Sequence, residues 1–226
     1  MNQRKKVIIT GASSGIGRAT AIRFATDGWD VCVNARREES LRELVEKLPA
    51  GEHLVSVGDY SDPSVAAAMS EAIRARWGRL DALVNSAGLF QPAAVVDSPL
   101  DDWRRPFDTM FNGAILMTRA AVPLMSSGGR VIHITSIHGE RAEANASAYA
   151  MAKAAINSLC RGLALELAKD GILANAIAPG FIETPMSVVN GVNELESEWF
   201  KSNYVAGHHL PLRRAGRPEE IAGVAA

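Results

Sequence analysis

Tyr149 and Lys153 stand four residues apart in the run SAYAMAKAAINSL, whose periodicity fits a helix, so both side chains leave one face a turn apart. A free phenol titrates at about 10, too high for proton transfer at neutral pH. An ammonium ~4 Å away is worth roughly 1 kcal/mol in water and ~4 kcal/mol at an effective dielectric near 20. At ~1.4 kcal/mol per pH unit, the pair predicts a phenol lowered by about 1 to 3 units, suited to general acid and base work. Ser136 closes the strand-like run RVIHIT, which places its hydroxyl at the carboxyl edge of a sheet, where it can hold a substrate oxygen. His138, two residues on, is placed to touch the same substrate.

A second chemical feature lies at the start of the chain. In VIITGASSGIG, residues 7–17, a short apolar run breaks into a glycine-rich turn that opens a helix. Gly11, Gly15 and Gly17 permit left-handed backbone and close approach, while Ser13, Ser14 and Ile16 offer N–H groups at a helix N-terminus to an anion. The spacing G-x3-G-x-G is a variant of the dinucleotide fingerprint G-x-G-x-x-G. A phosphate turn after the first strand, a Ser at a late strand end and a Tyr-Lys pair on the next helix together imply hydride transfer coupled to tyrosine-mediated proton transfer.

The elements that must position these residues alternate regularly. Strand-like runs at 7–10, 31–35, 54–57, 82–85, 130–135 and 173–178 are separated by helix-period segments. This order predicts a single α/β domain over 1–226, a Rossmann-type doubly wound parallel sheet with helices on both faces. At 184–210 the rhythm breaks into an irregular insertion, placed to act as a lid over the crevice. Segments 113–125 and 148–168 are apolar or small around most of their circumference, so one face should meet the sheet and the other a second copy, in a dimer or tetramer.

Composition excludes several classes of function. With 24 basic and 25 acidic residues there is no excess positive charge for nucleic acid or anionic lipid. No run approaches a membrane span, and the apolar stretch after Arg4-Lys5-Lys6 is only Val7-Ile8-Ile9, too short for a secretion signal. A cytoplasmic protein is expected. Cys32 and Cys160 sit in apolar runs and read as buried packing residues, and adjacent His208 and His209 lack the spacing of metal ligands, so no metal is expected. Asp97, Asp101 and Asp102 read as a solvated helix start.

Over essentially its whole length the chain resembles the short-chain dehydrogenase/reductase family. The matching residues are TGASSGIG at 10–17, Asp59, NSAG at 85–88, Asn112, Ser136, Tyr149 with Lys153, and PGFIET at 179–184. The resemblance implies a catalytic tetrad of Asn112, Ser136, Tyr149 and Lys153, with Asn112 holding a water that links Lys153 to solvent. It implies cofactor contacts from Asp59 at the adenine, from Asn85, Ala87 and Gly88 on the adenosine side, and from Pro179, Gly180, Ile182 and Thr184 at the nicotinamide end, with Tyr149 and Lys153 completing the set. Ser86 stands where the family usually has a second Asn, and the family's last strand has no counterpart before Ala226, so an isolated chain ending there is expected to lose stability.

Charge selects between the two forms of the cofactor. The second strand ends in Asn34-Ala35-Arg36-Arg37 with no acid before Glu38, which favours a 2′-phosphate and hence NADP(H) over NAD(H), with Arg36 the better contact than Arg37. The expected reaction interconverts a secondary alcohol and a ketone. The family also includes 3-oxoacyl-carrier-protein reductases, but the stretches that would dock an acidic carrier, 125–128 and 169–171, hold little positive charge, so a free sugar, polyol or simple ketone is expected. A non-catalytic dinucleotide-binding redox sensor is the alternative of another class.

Overall fold

The computed structural model describes residues 4–226. All five residues of β1 (Lys6–Thr10) are buried, as a strand covered on both faces requires. β2 (Asp30–Ala35) and β3 (Leu54–Val57) lie on one side of it, and β4 (Ala82–Asn85), β5 (Arg130–Ile134) and β6 (Leu173–Ile177) on the other. The order is β3-β2-β1-β4-β5-β6, and every pair is parallel. The six strands coincide with the six expected runs to within a residue or so. Strand order reverses between β1 and β4, which opens a crevice at their carboxyl ends.

The pleat divides the core. Val7, Ile9, Val31 and Val33 meet Phe24 of α1 (Gly15–Thr26), Leu41 and Leu44 of α2 (Glu38–Glu46), and Ala225 of α8 (Pro218–Ala225). Ile8, Cys32, Leu83 and Val131 face the other way, onto Met69 and Ile73 of α3 (Pro63–Arg76) and Met117 of α5 (Gly113–Ala121). Both cysteines are free and buried, and burial pushes the Cys32 thiol up to about 12, so it acts as a small core side chain.

Helix boundaries follow local chemistry. Asp62 accepts from the Ser64 N–H, and Pro63 begins α3 where no N–H is needed. The helix expected over 113–125 stops at Ala121 and gives way to a 3₁₀ turn, Val122–Leu124, because Pro123 can donate no helical bond. Ahead of it, α4 (Leu100–Pro106), with Asp101 and Asp102 in its first turn, runs into a π-helical turn, Phe107–Asn112. α6 (Ser147–Glu166) carries the Tyr149 and Lys153 positions.

The 184–210 segment is more ordered than an irregular insertion. It forms a hairpin from β7 (Val188–Val189) and β8 (Val192–Asn193), turned by Asn190 and Gly191 at positive φ, followed by α7 (Glu198–Phe200) and a π-helical turn, Lys201–Ala206. Aromatic rings hold it down: Phe181 and Tyr204 lie 4.5 Å apart, and Phe200 stacks on Tyr204 at 5.6 Å. Among the described residues, no helix is long and apolar enough to cross a membrane.

Candidate active site

The glycine turn is built so that backbone can meet a ligand. Gly11 has φ +69°, and a Cβ there would stand 2.7 Å from the Ala87 Cα; one on Gly17 would stand 2.4 Å from the Gly11 carbonyl oxygen. Side chains at either position would close the turn or push the 86–88 segment away. That segment is pinned in turn by Thr10, whose Oγ1 accepts from the N–H groups of Ser86 and Ala87 at 3.1 Å each. Ser14 leads into α1 with extended backbone and no side-chain cap, so the helix N-terminus keeps its free N–H groups for the crevice.

A cavity of about 260 Å³ fills this crevice. Gly11, Ser13, Ser14, Gly15, Ile16 and Gly17 line it from the turn, Arg36 and Arg37 from the end of β2, Asp59 from the end of β3, and Ala87, Gly88 and Thr184 from across the switch point. Free N–H groups, a cradle without Cβ atoms and two guanidinium groups fit a dinucleotide pyrophosphate and a further phosphate. Arg37 donates to Ser13 Oγ at 3.1 Å, whereas Arg36 is exposed and makes no side-chain hydrogen bond among the described residues.

A second cavity, of about 140 Å³, shares Ile16, Ser86, Gly88, Thr184 and Met186 with the first. Ser136, Tyr149 and Lys153 converge on it, and Pro179, Gly180 and Ile182 line it from the loop after β6. Ser136 adopts extended backbone beyond the end of β5, and its Oγ accepts from the His138 N–H at 3.1 Å. The Tyr149 ring is fixed edge-on between Phe90, at 5.3 Å, and His138, at 6.1 Å.

The Tyr-Lys pair departs electrostatically from the sequence expectation. Lys153 Nζ donates to the Ile134 carbonyl at 2.8 Å and sits 5.6 Å from the Tyr149 ring centroid. Burial raises the Tyr149 phenol above its ordinary value, with the Ser136 hydroxyl opposing, and burial lowers the Lys153 ammonium to about 8. Proximity in sequence predicts attraction between unlike charges, but loss of water on both partners outweighs it in the free chain.

Two expected residues lie outside both cavities. Asn85 turns into the sheet, with Nδ2 3.4 Å from His133 Nδ1. Asn112 ends the π-helical turn exposed, and its side chain donates to Asp108 at 3.3 Å. Residues that the sequence did not single out complete the site. Tyr60 donates towards the carbonyls of Ala87 and Met110, each 3.2 Å away, and joins the cofactor crevice to the π-helical turn. Phe90, Glu143 and Glu194 line the second cavity from three separate segments.

Residues 11–226 match the family described as enoyl-(acyl carrier protein) reductase. A glucose 1-dehydrogenase of Gluconobacter oxydans is 37% identical over 225 residues, covering 96% of this chain and 82% of that protein. The chain belongs to the short-chain dehydrogenase/reductase family. It is an oxidoreductase of the kind that acts on CH–OH groups, in a family that binds NAD(P). Another short-chain dehydrogenase/reductase relative, the 3-oxoacyl-[acyl-carrier-protein] reductase FabG of Thermotoga maritima, is 35% identical over 225 residues, 97% of this chain and 88% of that one. Among solved structures, a short-chain dehydrogenase of Burkholderia cenocepacia in complex with NADP superposes with a TM-score of 0.88 at 29% identity, covering 98% of this chain and 89% of that one.

Proposed function

We propose that this chain is an NADP(H)-dependent oxidoreductase interconverting a secondary alcohol and a ketone of a free small molecule. The observation that carries the reading is the convergence of Ser136, Tyr149 and Lys153 on a cavity continuous in its lining with the glycine-turn crevice.

Bound nicotinamide supplies or accepts the hydride. In reduction, Tyr149 gives its hydroxyl proton to the carbonyl oxygen, which Ser136 orients by a hydrogen bond. The raised phenol keeps that proton at neutral pH, ready to be given. In the reverse direction the phenol must release it, and Lys153 is the cation placed to hold the resulting negative charge and the cofactor ribose. Arg36, with Arg37 beside it, supports the choice of NADP(H) through attraction for a 2′-phosphate.

Carrier-linked acyl substrates are the competing reading, favoured by the likeness to FabG and by the family description. Few basic side chains lie at 125–128 and 169–171, which supports a free substrate. The test follows nicotinamide oxidation, with NADPH and NADH in parallel, against sugars, small ketones and acetoacetyl thioesters. Rapid turnover of the thioesters alone reverses the substrate assignment, and equal efficiency with NADH reverses the cofactor. A homo-oligomer is proposed on the exposed apolar residues of α6, Met151 and Leu165, and a monomer by light scattering overturns it.

A further inference from the structure

Beyond Ser136 and Tyr149, the substrate cavity holds a polar group that hydride transfer does not require. His138 comes from the turn after β5, Glu143 from the loop before α6, and Glu194 from the segment after the β7–β8 hairpin. His138 Nε2 lies 2.9 Å from Glu143 Oε2, while its Nδ1 is buried and has no hydrogen-bond partner among the described residues. The same imidazole meets the Tyr149 ring in a T-shaped arrangement at 6.1 Å, so the group and that phenol line one cavity.

We propose that His138, Glu143 and Glu194 form a hydroxyl-recognising subsite that selects a neutral polyhydroxylated ketone, or the matching polyol, and turns anionic substrates away. This deepens the alcohol–ketone reading above and rests on it.

Hydrogen-bond roles identify the ligand. A carboxylate only accepts, so these two groups call for donors. With Nε2 donating to Glu143, Nδ1 accepts from a ligand when the ring is neutral and donates when it is charged. A hydroxyl, being both donor and acceptor, meets either state of the ring and both acids; an ammonium or a carboxylate meets only some of them. A substrate with one oxygen has that oxygen taken by Ser136 and Tyr149, which leaves the buried Nδ1 and the two acids without the bonds that further hydroxyls provide. Burial and the Glu143 charge push the Glu194 carboxyl up, as two acids sharing one partly dry space require. A third negative charge there meets repulsion.

Three ketones with the same four-carbon length test this: erythrulose, which carries hydroxyl groups beside and beyond the carbonyl, 2-butanone, which has none, and acetoacetate, which carries a carboxylate. The purified chain should have its highest kcat/KM for erythrulose and its lowest for acetoacetate. Glu143→Leu and Glu194→Leu should each cut the erythrulose to 2-butanone ratio by about ten- to a hundredfold, chiefly through KM, the loss expected for a hydrogen bond to a charged group. Should a Leu variant fail to fold, Glu143→Gln and Glu194→Gln carry the test by raising acetoacetate turnover relative to 2-butanone. A ratio that does not move in folded variants, or a parent chain that prefers 2-butanone or acetoacetate, overturns the subsite. Turnover of none of the three, with NADPH still bound, overturns the alcohol–ketone reading beneath it.

Discussion

Lys153 is fastened to the carbonyl of Ile134 by a 2.8 Å hydrogen bond from its Nζ, so α6 is tied to the last residue of β5 through a buried ammonium. The bond fixes where the charge sits relative to Tyr149, on the same helix, and Ser136, two residues beyond the end of β5. It also places a cation in a setting that disfavours it, and burial lowers that cation from 10.5 to about 8. Between these values the unfolded chain holds a proton that the folded chain lacks. Stability therefore rises with pH through that window, and the destabilisation is complete below it. Lys153→Met removes the term, worth about 3 kcal/mol, and leaves the Ile134 carbonyl without its donor. The unfolding free energy of the variant minus that of the parent, from urea titrations, should fall by about 2–3 kcal/mol between neutral pH and pH near 10. A difference independent of pH contradicts the burial argument.

Tyr149 offers a prediction about direction. A phenol raised by burial is protonated at neutral pH, which suits ketone reduction and holds back alcohol oxidation. Oxidation by the parent chain should climb steadily as pH rises above neutral, while reduction stays level until the phenol begins to ionise. Tyr149→Phe should lower kcat in both directions by about 10²- to 10⁴-fold, the usual share of a general acid or base, while leaving NADPH affinity within a few-fold, as read by quenching of protein fluorescence. Retained turnover removes Tyr149 from the chemistry.

These residues differ in how far the sequence reveals them. The six strands are legible because a strand covered on both faces must be a continuous apolar run, as in VIIT and ALVN. Tyr149 and Lys153 are legible because four residues on a helix is already a spatial statement. The sign of the Tyr149 shift is not, since spacing gives the distance between charges and not the water lost around them. Asn112 is named by resemblance alone; it ends a π-helical turn, outside both cavities, with its amide donating to Asp108. Glu143 and Glu194 carry no signal at all. Fifty-one positions separate them, and only the folded hairpin at 188–193 brings the second beside the first.

Arg36 and Arg37 separate on their partners. Arg37 already donates to Ser13 across the mouth of the crevice, and it is the residue that leads into α2. Arg36, without such a partner among the described residues, is the guanidinium available to a 2′-phosphate. Arg36→Ala should raise KM for NADPH by about tenfold or more, the scale of a charge-assisted hydrogen bond, with KM for NADH nearly constant. Arg37→Ala should weaken both cofactors together, because it loosens the phosphate turn through Ser13. A larger NADPH-specific loss in Arg37→Ala assigns the phosphate to that residue instead.

Tyr204 is the ring on which the 184–210 segment closes. It packs against Phe181 at 4.5 Å, Trp199 at 5.2 Å and Phe200 at 5.6 Å, and Phe181 itself lines the substrate cavity. Such contacts are worth about 0.5–1.5 kcal/mol per aromatic pair beyond the area they bury. Tyr204→Ala removes three of them at once, yet the sheet and its two core layers do not depend on that ring. The fold should survive and the segment should loosen. Limited proteolysis should then cut within 184–210 at least several-fold faster than in the parent, and KM for the ketone should rise with little change in NADPH affinity, since the glycine turn is untouched. Cleavage at the parent rate, or a loss confined to cofactor binding, shows that the aromatic cluster does not hold the segment.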